Sequence, residues 1–245
     1  MSEIKQSAKA YNYDVVIVGA GPAGIFTALE LIRQKSELKI ALLEKGSPIE
    51  KRHCPKEKTT VCVHCKPYCH ITTGFSGAGA FSDGKLSLST EVGGDLPELI
   101  GHQLAQYYID YTDHIYLEFG ADQHIEGIEA PEAVKSIRKD AIKAGLKLVD
   151  CPIRHLGTEK AQEIYGKIQS ALIEGGIHIY FHTRVEDLII EGEIISGVRA
   201  TNLKDREEVT FEAPRVVVGG GRKGSDWLKK MCTEHNISHM AGTVD

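Results

Sequence analysis

The sequence has no excess of positive charge, no long apolar run and no repeated or low-complexity tract. Its 29 lysine and arginine residues are outnumbered by 34 aspartate and glutamate residues, which gives a net charge of -5. No apolar run approaches the roughly 20 residues that a membrane-spanning helix needs, and the first residues, Met1 to Tyr13, are polar. These absences speak against nucleic acid as a main partner and against a membrane segment. We therefore expect a cytoplasmic protein that acts on a small molecule.

The composition is that of a folded, globular chain. Of its 245 residues, 42% are hydrophobic and 26% are charged, which excludes disorder of the whole chain. This length suffices for one large or two small cores. Six cysteines in a reducing compartment stay reduced, so their spacing is examined for metal or redox chemistry rather than for disulfides.

The order of hydrophobic patterns predicts an α/β fold. The pattern predicts a β-branched strand from Tyr13 to Val18, a helix that opens at Pro22 and a second strand from Leu38 to Leu43. Together these elements form a βαβ unit, which implies a parallel sheet. We predict a Rossmann-like dinucleotide-binding domain in segments 1–50 and 151–245, with an inserted α+β and loop region at 51–150. Further helices are expected near 97–109, 131–144, 158–174 and 226–231, and further strands, including a β-meander, at 177–181, 184–190, 194–200, 207–211 and 215–219.

A glycine motif between the first strand and the first helix carries the most specific signal. Gly19, Gly21 and Gly24 form G-x-G-x-x-G around Ala20, Pro22 and Ala23, and Glu44 follows 20 residues after the last glycine. Such a turn lets a pyrophosphate approach the backbone at a helix N-terminus, while the acid binds ribose hydroxyls. The alternative is a glycine-rich turn without a ligand. We predict adenine dinucleotide binding, with FAD and NAD left open by this motif alone.

Several segments resemble a known class of flavoproteins. YDVVIVGAGPAGIFTALEL and LLEKG resemble the FAD-binding start of glutathione-reductase-type flavoproteins, and the segment from Gly74 to Lys85 is similar to the GAGAFSDGK loop of a poorly characterised group of FAD-dependent dehydrogenases within that class. The segment 176–188 resembles the segment on the adenine side of FAD in these flavoproteins. This resemblance implies FAD, a hydride or electron transfer with an unidentified substrate, and NAD(P)H as a conceivable co-substrate. Members of the group are longer and have a further Gly-Asp segment near the C-terminus, so we expect this chain to be the N-terminal part of a larger enzyme.

The resemblance also implies roles for individual residues. The backbone of the loop would approach the flavin ring, and Lys85 or Arg222 could stabilise an anionic reduced flavin, although both could equally be surface charges. Arg52 could bind a phosphate or be a solvated charge. No catalytic base is identified. The implied cofactor-binding set beyond the glycine motif and Glu44 is Lys45, Arg52, Gly77, Ala78, Gly79, Ala80, Val185, Gly219 and Gly220.

Four cysteines fall in one short segment. Cys54, Cys62, Cys65 and Cys69 follow C-x7-C-x2-C-x3-C, which is enough thiolates for a zinc ion or an iron–sulfur centre. The alternative is four free thiols on a loop. Neighbouring histidines (His53, His64 and His70) could replace a cysteine, whereas Cys151 and Cys232 are isolated.

Two alternatives to a flavin oxidoreductase follow from the same sequence. One is a flavoprotein that acts on RNA, which the acidic balance disfavours. The other is an incomplete dinucleotide-binding module with a structural metal clip and no activity of its own.

Overall fold

A computed structural model describes residues 9–34, 37–82 and 84–240. The described chain forms two compact units, one within 1–78 and 165–242 and the other within 79–164. Asp83 of the predicted flavin loop and residues 241–245 of the C-terminal tail lie outside the described residues. The sequence-based division at residues 50 and 150 remains a prediction. Within the described part, no helix is both long and apolar enough to cross a membrane.

The described residues form ten β-strands and seven α-helices. In chain order the elements are β1 (Lys9–Asn12), β2 (Val15–Val18), α1 (Pro22–Gln34), β3 (Ile40–Leu43), α2 (Lys56–Thr59), β4 (Lys85–Ser87), α3 (Leu96–Ile100), α4 (His102–Glu118), α5 (Pro131–Lys143), β5 (Ile153–His155), α6 (Thr158–Glu174), β6 (His178–Tyr180), β7 (Thr183–Glu191), β8 (Ile194–Asn202), β9 (Glu208–Glu212), β10 (Val216–Val218) and α7 (Ser225–Glu234).

The first unit contains the predicted parallel sheet. Its strand order is β10-β2-β3-β6, and each neighbouring pair is parallel. The four residues of β2 and the four of β3 are all buried, as expected for strands covered on both faces. The connection from β2 through α1 to β3 is the βαβ unit that the hydrophobic pattern predicts. The α/β fold class with a parallel, Rossmann-like sheet is therefore confirmed.

The predicted meander forms a second sheet in the same unit. Strands β7, β8 and β9 pair in antiparallel fashion, and β1 adds to β9 in parallel. No strand was predicted over 9–12, because the start of the chain is polar. All four residues are at least partly exposed in the structure. Side chains of the meander, such as Val198 and Phe211, share a buried cluster with Val16 and Val18 of β2. This apolar burial holds one face of the parallel sheet against the meander.

The second unit is mainly helical with one small two-stranded sheet. Strands β4 and β5, which were not predicted, pair in antiparallel fashion. The single helix predicted near 97–109 is wrong, because Gly101 adopts φ 85° and separates α3 from α4. Arg154 of β5 forms a buried two-point ion pair with Asp113 of α4, with Nε–Oδ1 and Nη2–Oδ2 distances of 2.5 and 2.7 Å. This ion pair ties the two-stranded sheet to α4.

Candidate functional site

Two glycines of the motif are required by close backbone packing. Gly19 has φ 98°, and a Cβ placed there would lie 2.5 Å from the carbonyl oxygen of Gly219. A Cβ on Gly24 would lie 1.9 Å from the carbonyl oxygen of Gly19. Any side chain at either position would therefore push α1 or the end of β10 away from the turn. These two residues position the motif rather than leaving room for a ligand.

Gly21 has a different role, because a Cβ built on it meets nothing within 4 Å. It borders a cavity of about 440 Å³ in the first unit, together with Pro22, Gly219 and Gly220. The cavity lies at the carboxyl ends of β2, β3 and β10 and at the N-terminus of α1, where backbone N–H groups have no partner within the helix. Such a position suits a diphosphate, since the N–H groups and the helix dipole favour negative charge.

Glu44 connects this turn to the end of β3. Its Oε2 accepts a hydrogen bond from the backbone N–H of Ala20 at 2.9 Å, and its Oε1 accepts one from Gly46 at 2.8 Å. The side chain is only 6% exposed, yet it borders both the 440 Å³ cavity and a neighbouring cavity of about 150 Å³. A carboxylate has about four acceptor positions, so Glu44 retains capacity to accept hydrogen bonds from ribose hydroxyls.

The smaller cavity lies between the parallel sheet and the meander. Val185 borders it, as expected for a residue on the adenine side, together with Thr183 and Trp227. The indole N–H of Trp227 donates to the carbonyl oxygen of Glu186 at 3.0 Å, which fixes the ring at the cavity wall. Trp227 was not predicted as a site residue, because the sequence pattern of α7 does not show which of its faces borders a cavity.

The glycine-rich loop after the cysteines forms part of the larger cavity. Gly77 and Ala78 border it, as the resemblance implies, and so do Thr72, Thr73 and Gly74. The loop is tied to the glycine motif, since the N–H of Ser76 donates to the carbonyl oxygen of Ala20 at 2.7 Å. Gly79 and Ala80 belong to the second unit, where Ala80 is buried in a 3-10 turn over Gly79–Phe81. Lys85 also belongs to that unit, at the exposed start of β4.

Arg52 is buried under this loop and forms hydrogen bonds to its backbone. Its side chain is 4% exposed and donates hydrogen bonds to the carbonyl oxygens of His70, Ile71 and Phe75. Burial lowers the pKa of the guanidinium to about 10. These donors are directed at backbone carbonyls of the loop, which gives Arg52 a positioning role, and its contact with a phosphate stays a prediction.

Three cationic side chains line the 440 Å³ cavity, namely Lys45, Arg222 and Lys223. Lys45 was expected from the resemblance, and Arg222 was expected near the flavin. Lys223 was missed, although its place directly after the glycine-rich end of a parallel strand is a signal for a ligand-facing position. Together these charges favour an anionic ligand such as a diphosphate.

All four cysteines of the predicted metal site line a third cavity of about 550 Å³, together with His64 and His70. Within the described part of the chain, no group of three or more His, Cys, Asp or Glu side chains is arranged to hold a metal ion. The metal site therefore stays a prediction. The segment is anchored by Tyr68, whose hydroxyl lies 2.8 Å from Nδ1 of His182.

A family model described as "FAD binding domain" matches residues 154–243. A curated relative is an uncharacterized protein of Clostridium beijerinckii, 27% identical over 183 residues, which are 71% of this chain and 31% of that protein. The chain thus spans about a third of the length of this relative. The match to the FAD binding domain supports FAD as the dinucleotide that the glycine motif left open.

Solved structures of a steroid dehydrogenase and of a fumarate reductase subunit share the fold. The 3-ketosteroid-delta4-(5alpha)-dehydrogenase of Rhodococcus jostii matches with a TM-score of 0.55 and 15% identity over 89% of this chain and 47% of that chain. The FrdA subunit of E. coli quinol fumarate reductase matches with a TM-score of 0.50 and 16% identity over 87% of this chain and 33% of that chain. At these identities the similarity shows the fold alone.

Proposed function

We propose that the first unit binds FAD and that the protein is an FAD-dependent oxidoreductase. The observation that carries the proposal is the open space at Gly21, at the N-terminus of α1, between two glycines that close packing requires. A turn that served packing alone would not need glycine at this middle position. The match to the FAD binding domain and the fold shared with flavoenzymes support the same conclusion.

Each part of FAD can be assigned to residues that line the two cavities. The diphosphate would meet the backbone of the glycine motif, with Lys45 and Lys223 offsetting its charge. The ribose hydroxyls would donate to Glu44, and the adenine would occupy the cavity beside Val185 and Trp227. Gly77 and Ala78 would let the loop backbone approach the flavin ring.

The bound flavin would supply hydride or single-electron chemistry, while the chain supplies orientation and charge. Arg222 borders the cavity and would favour a negatively charged reduced state by Coulomb attraction. We further propose that the enzyme belongs to the glutathione-reductase-type flavoproteins and takes NAD(P)H as a co-substrate, on the strength of the loop resemblance. The second substrate is an unidentified small molecule.

The test measures flavin stoichiometry and reduction together. The full chain is purified with added FAD, desalted and assayed for protein-bound flavin, and NADH or NADPH is then added without oxygen while the flavin absorbance is followed. Near-stoichiometric flavin that NADH or NADPH bleaches supports the proposal. Binding of ADP-ribose without retention of FAD would instead favour the inactive dinucleotide-binding module.

A further inference from the structure

The cavity beside the dinucleotide site combines thiols with cations. Its lining includes the four cysteines of the segment and four lysines, Lys45, Lys56, Lys66 and Lys223. No aspartate or glutamate occurs among the described residues that line it. A hard cation such as Mg²⁺ or Ca²⁺ requires oxygen ligands, so this wall is unsuited to it. Thiolates instead select zinc or iron–sulfur centres.

One histidine of this wall has a buried nitrogen without a hydrogen-bond partner. Nδ1 of His70 is buried and has no partner among the described residues. Buried polar atoms are normally satisfied, and an exception calls for a ligand or another explanation. His70 lines the same cavity as the thiols. A bound metal, or a group bound to that metal, could therefore supply the missing partner of this nitrogen.

Both ends of the segment are fixed to the rest of the first unit. At one end Arg52, two residues before Cys54, donates to the carbonyl oxygens of His70 and Ile71. At the other end Tyr68, next to Cys69, contacts His182 of the β6–β7 connection. Cys54 and Cys69 thus lie within two residues of these fixed points, while Cys62 and Cys65 lie on the chain between them. All four thiols of this short segment line one cavity.

We propose that Cys54, Cys62, Cys65 and Cys69 hold a thiolate-bound metal centre next to the dinucleotide site. Four thiolates around zinc or an iron–sulfur cluster leave net negative charge, which the surrounding lysines offset. The site is not preformed, since the described side chains do not yet stand as a metal-ligating group. Metal binding draws the segment together, as it does where folding and metal binding are coupled.

The centre shares a wall with the cavity assigned to FAD. Lys45, Thr73 and Lys223 line both cavities. The metal proposal does not depend on FAD binding, because its ligands come from the cysteine segment alone. Loss of either site can therefore be measured while the other is monitored.

The test is metal analysis of the full chain purified without oxygen. Iron, acid-labile sulfide and zinc are quantified per chain, and reactive thiols are counted before and after treatment with a chelator. We expect either about one zinc, or iron with matching sulfide, and four thiols that react only after the metal is removed. Zinc identifies a structural centre and iron with sulfide a cluster. Background metal, with all four thiols reactive in the native protein, would overturn the proposal.

Serine variants locate the ligands. Cys62→Ser and Cys65→Ser should each lower metal content at least tenfold, whereas Cys151→Ser and Cys232→Ser, which alter cysteines outside the segment, should leave it unchanged. Equal metal loss in all four variants, or none in the first two, would contradict the assignment. If a segment variant does not fold, the chelator experiment on the unaltered chain decides the matter without mutation. Bound flavin is assayed in the same samples, so failure of the metal site is distinguished from failure of FAD binding.

Discussion

The carboxylate of Glu44 accepts a hydrogen bond from the backbone N–H of Ala20 at 2.9 Å. This contact joins the end of β3 to the glycine motif, 24 residues earlier in the chain. A second contact, from the N–H of Gly46 at 2.8 Å, occupies the other carboxylate oxygen. Glu44 thus shapes the turn as well as facing the cavity. The acid that the sequence pattern assigns to ribose recognition also holds the site together.

Replacing Glu44 by glutamine should weaken both the fold and the dinucleotide site. The amide oxygen can accept one of the two backbone N–H bonds, but the amide nitrogen faces the other donor. We expect a loss of about 1–3 kcal/mol in the free energy of unfolding and about a tenfold loss of FAD affinity. Urea unfolding and FAD titration measure the two effects. Glu174→Gln, at the exposed end of α6, is the control, and equal behaviour of both variants would refute this role of Glu44.

Arg52→Lys should loosen the glycine-rich loop that borders the 440 Å³ cavity. Lysine keeps the positive charge but cannot donate to the carbonyl oxygens of His70, Ile71 and Phe75 at once. We expect a destabilisation of about 2 kcal/mol and faster flavin dissociation. Lys51→Arg, at the exposed neighbouring position, should leave both quantities unchanged. A lysine variant with normal stability would show that the loop does not depend on the guanidinium.

The buried pair of Asp113 and Arg154 should dominate the stability of the second unit. Asp113→Asn leaves the guanidinium of Arg154 without its anionic partner. We expect the free energy of unfolding to fall by about 3–5 kcal/mol. The double variant Asp113→Leu with Arg154→Met should recover much of this loss, because no buried charge remains. Hydrogen exchange of peptides from α4 and β5 reports on this unit directly. Protection that is unchanged in Asp113→Asn would rule out this contribution.

Tyr13 should make the first unit sensitive to high pH. Burial and the hydrogen bond with the hydroxyl of Tyr180, at 2.6 Å, raise the pKa of Tyr13 above its usual value. The unfolded chain therefore ionises first, so this contribution to stability is complete below about pH 10 and is lost as the pH rises further. Tyr13→Phe should flatten that decline, whereas Tyr107→Phe, at an exposed position, should not. A decline that is equally steep in Tyr13→Phe would contradict the assignment.

The sequence predicts the parts of the fold whose patterns are local. The run of apolar residues in β2, the proline at the start of α1 and the glycine spacing each follow from short-range demands on the backbone. The position of Glu44 after β3 could be predicted for the same reason, since the βαβ unit fixes where the second strand ends.

Other features depend on contacts that no local pattern encodes. Arg52 looks like a surface charge within Lys51-Arg52-His53, and only the packing of the loop over it makes it a buried anchor. The strand β1 is polar, so its pairing with β9 could not be expected from periodicity. Lys223 and Trp227 reach the cavities because β10 returns beside β2, a long-range contact.

The most direct test of FAD binding by the glycine motif is a titration of FAD against the Gly21→Val variant. A Cβ at this position meets no protein atom within 4 Å, so we expect the free energy of unfolding to change by less than about 0.5 kcal/mol. The same side chain would fill the space assigned to the diphosphate, and FAD affinity should fall about a hundredfold. Gly166→Ala, on α6 and away from both cavities, should bind FAD as the unaltered chain does. If Gly21→Val folds and binds FAD with unchanged affinity, the proposed site is wrong.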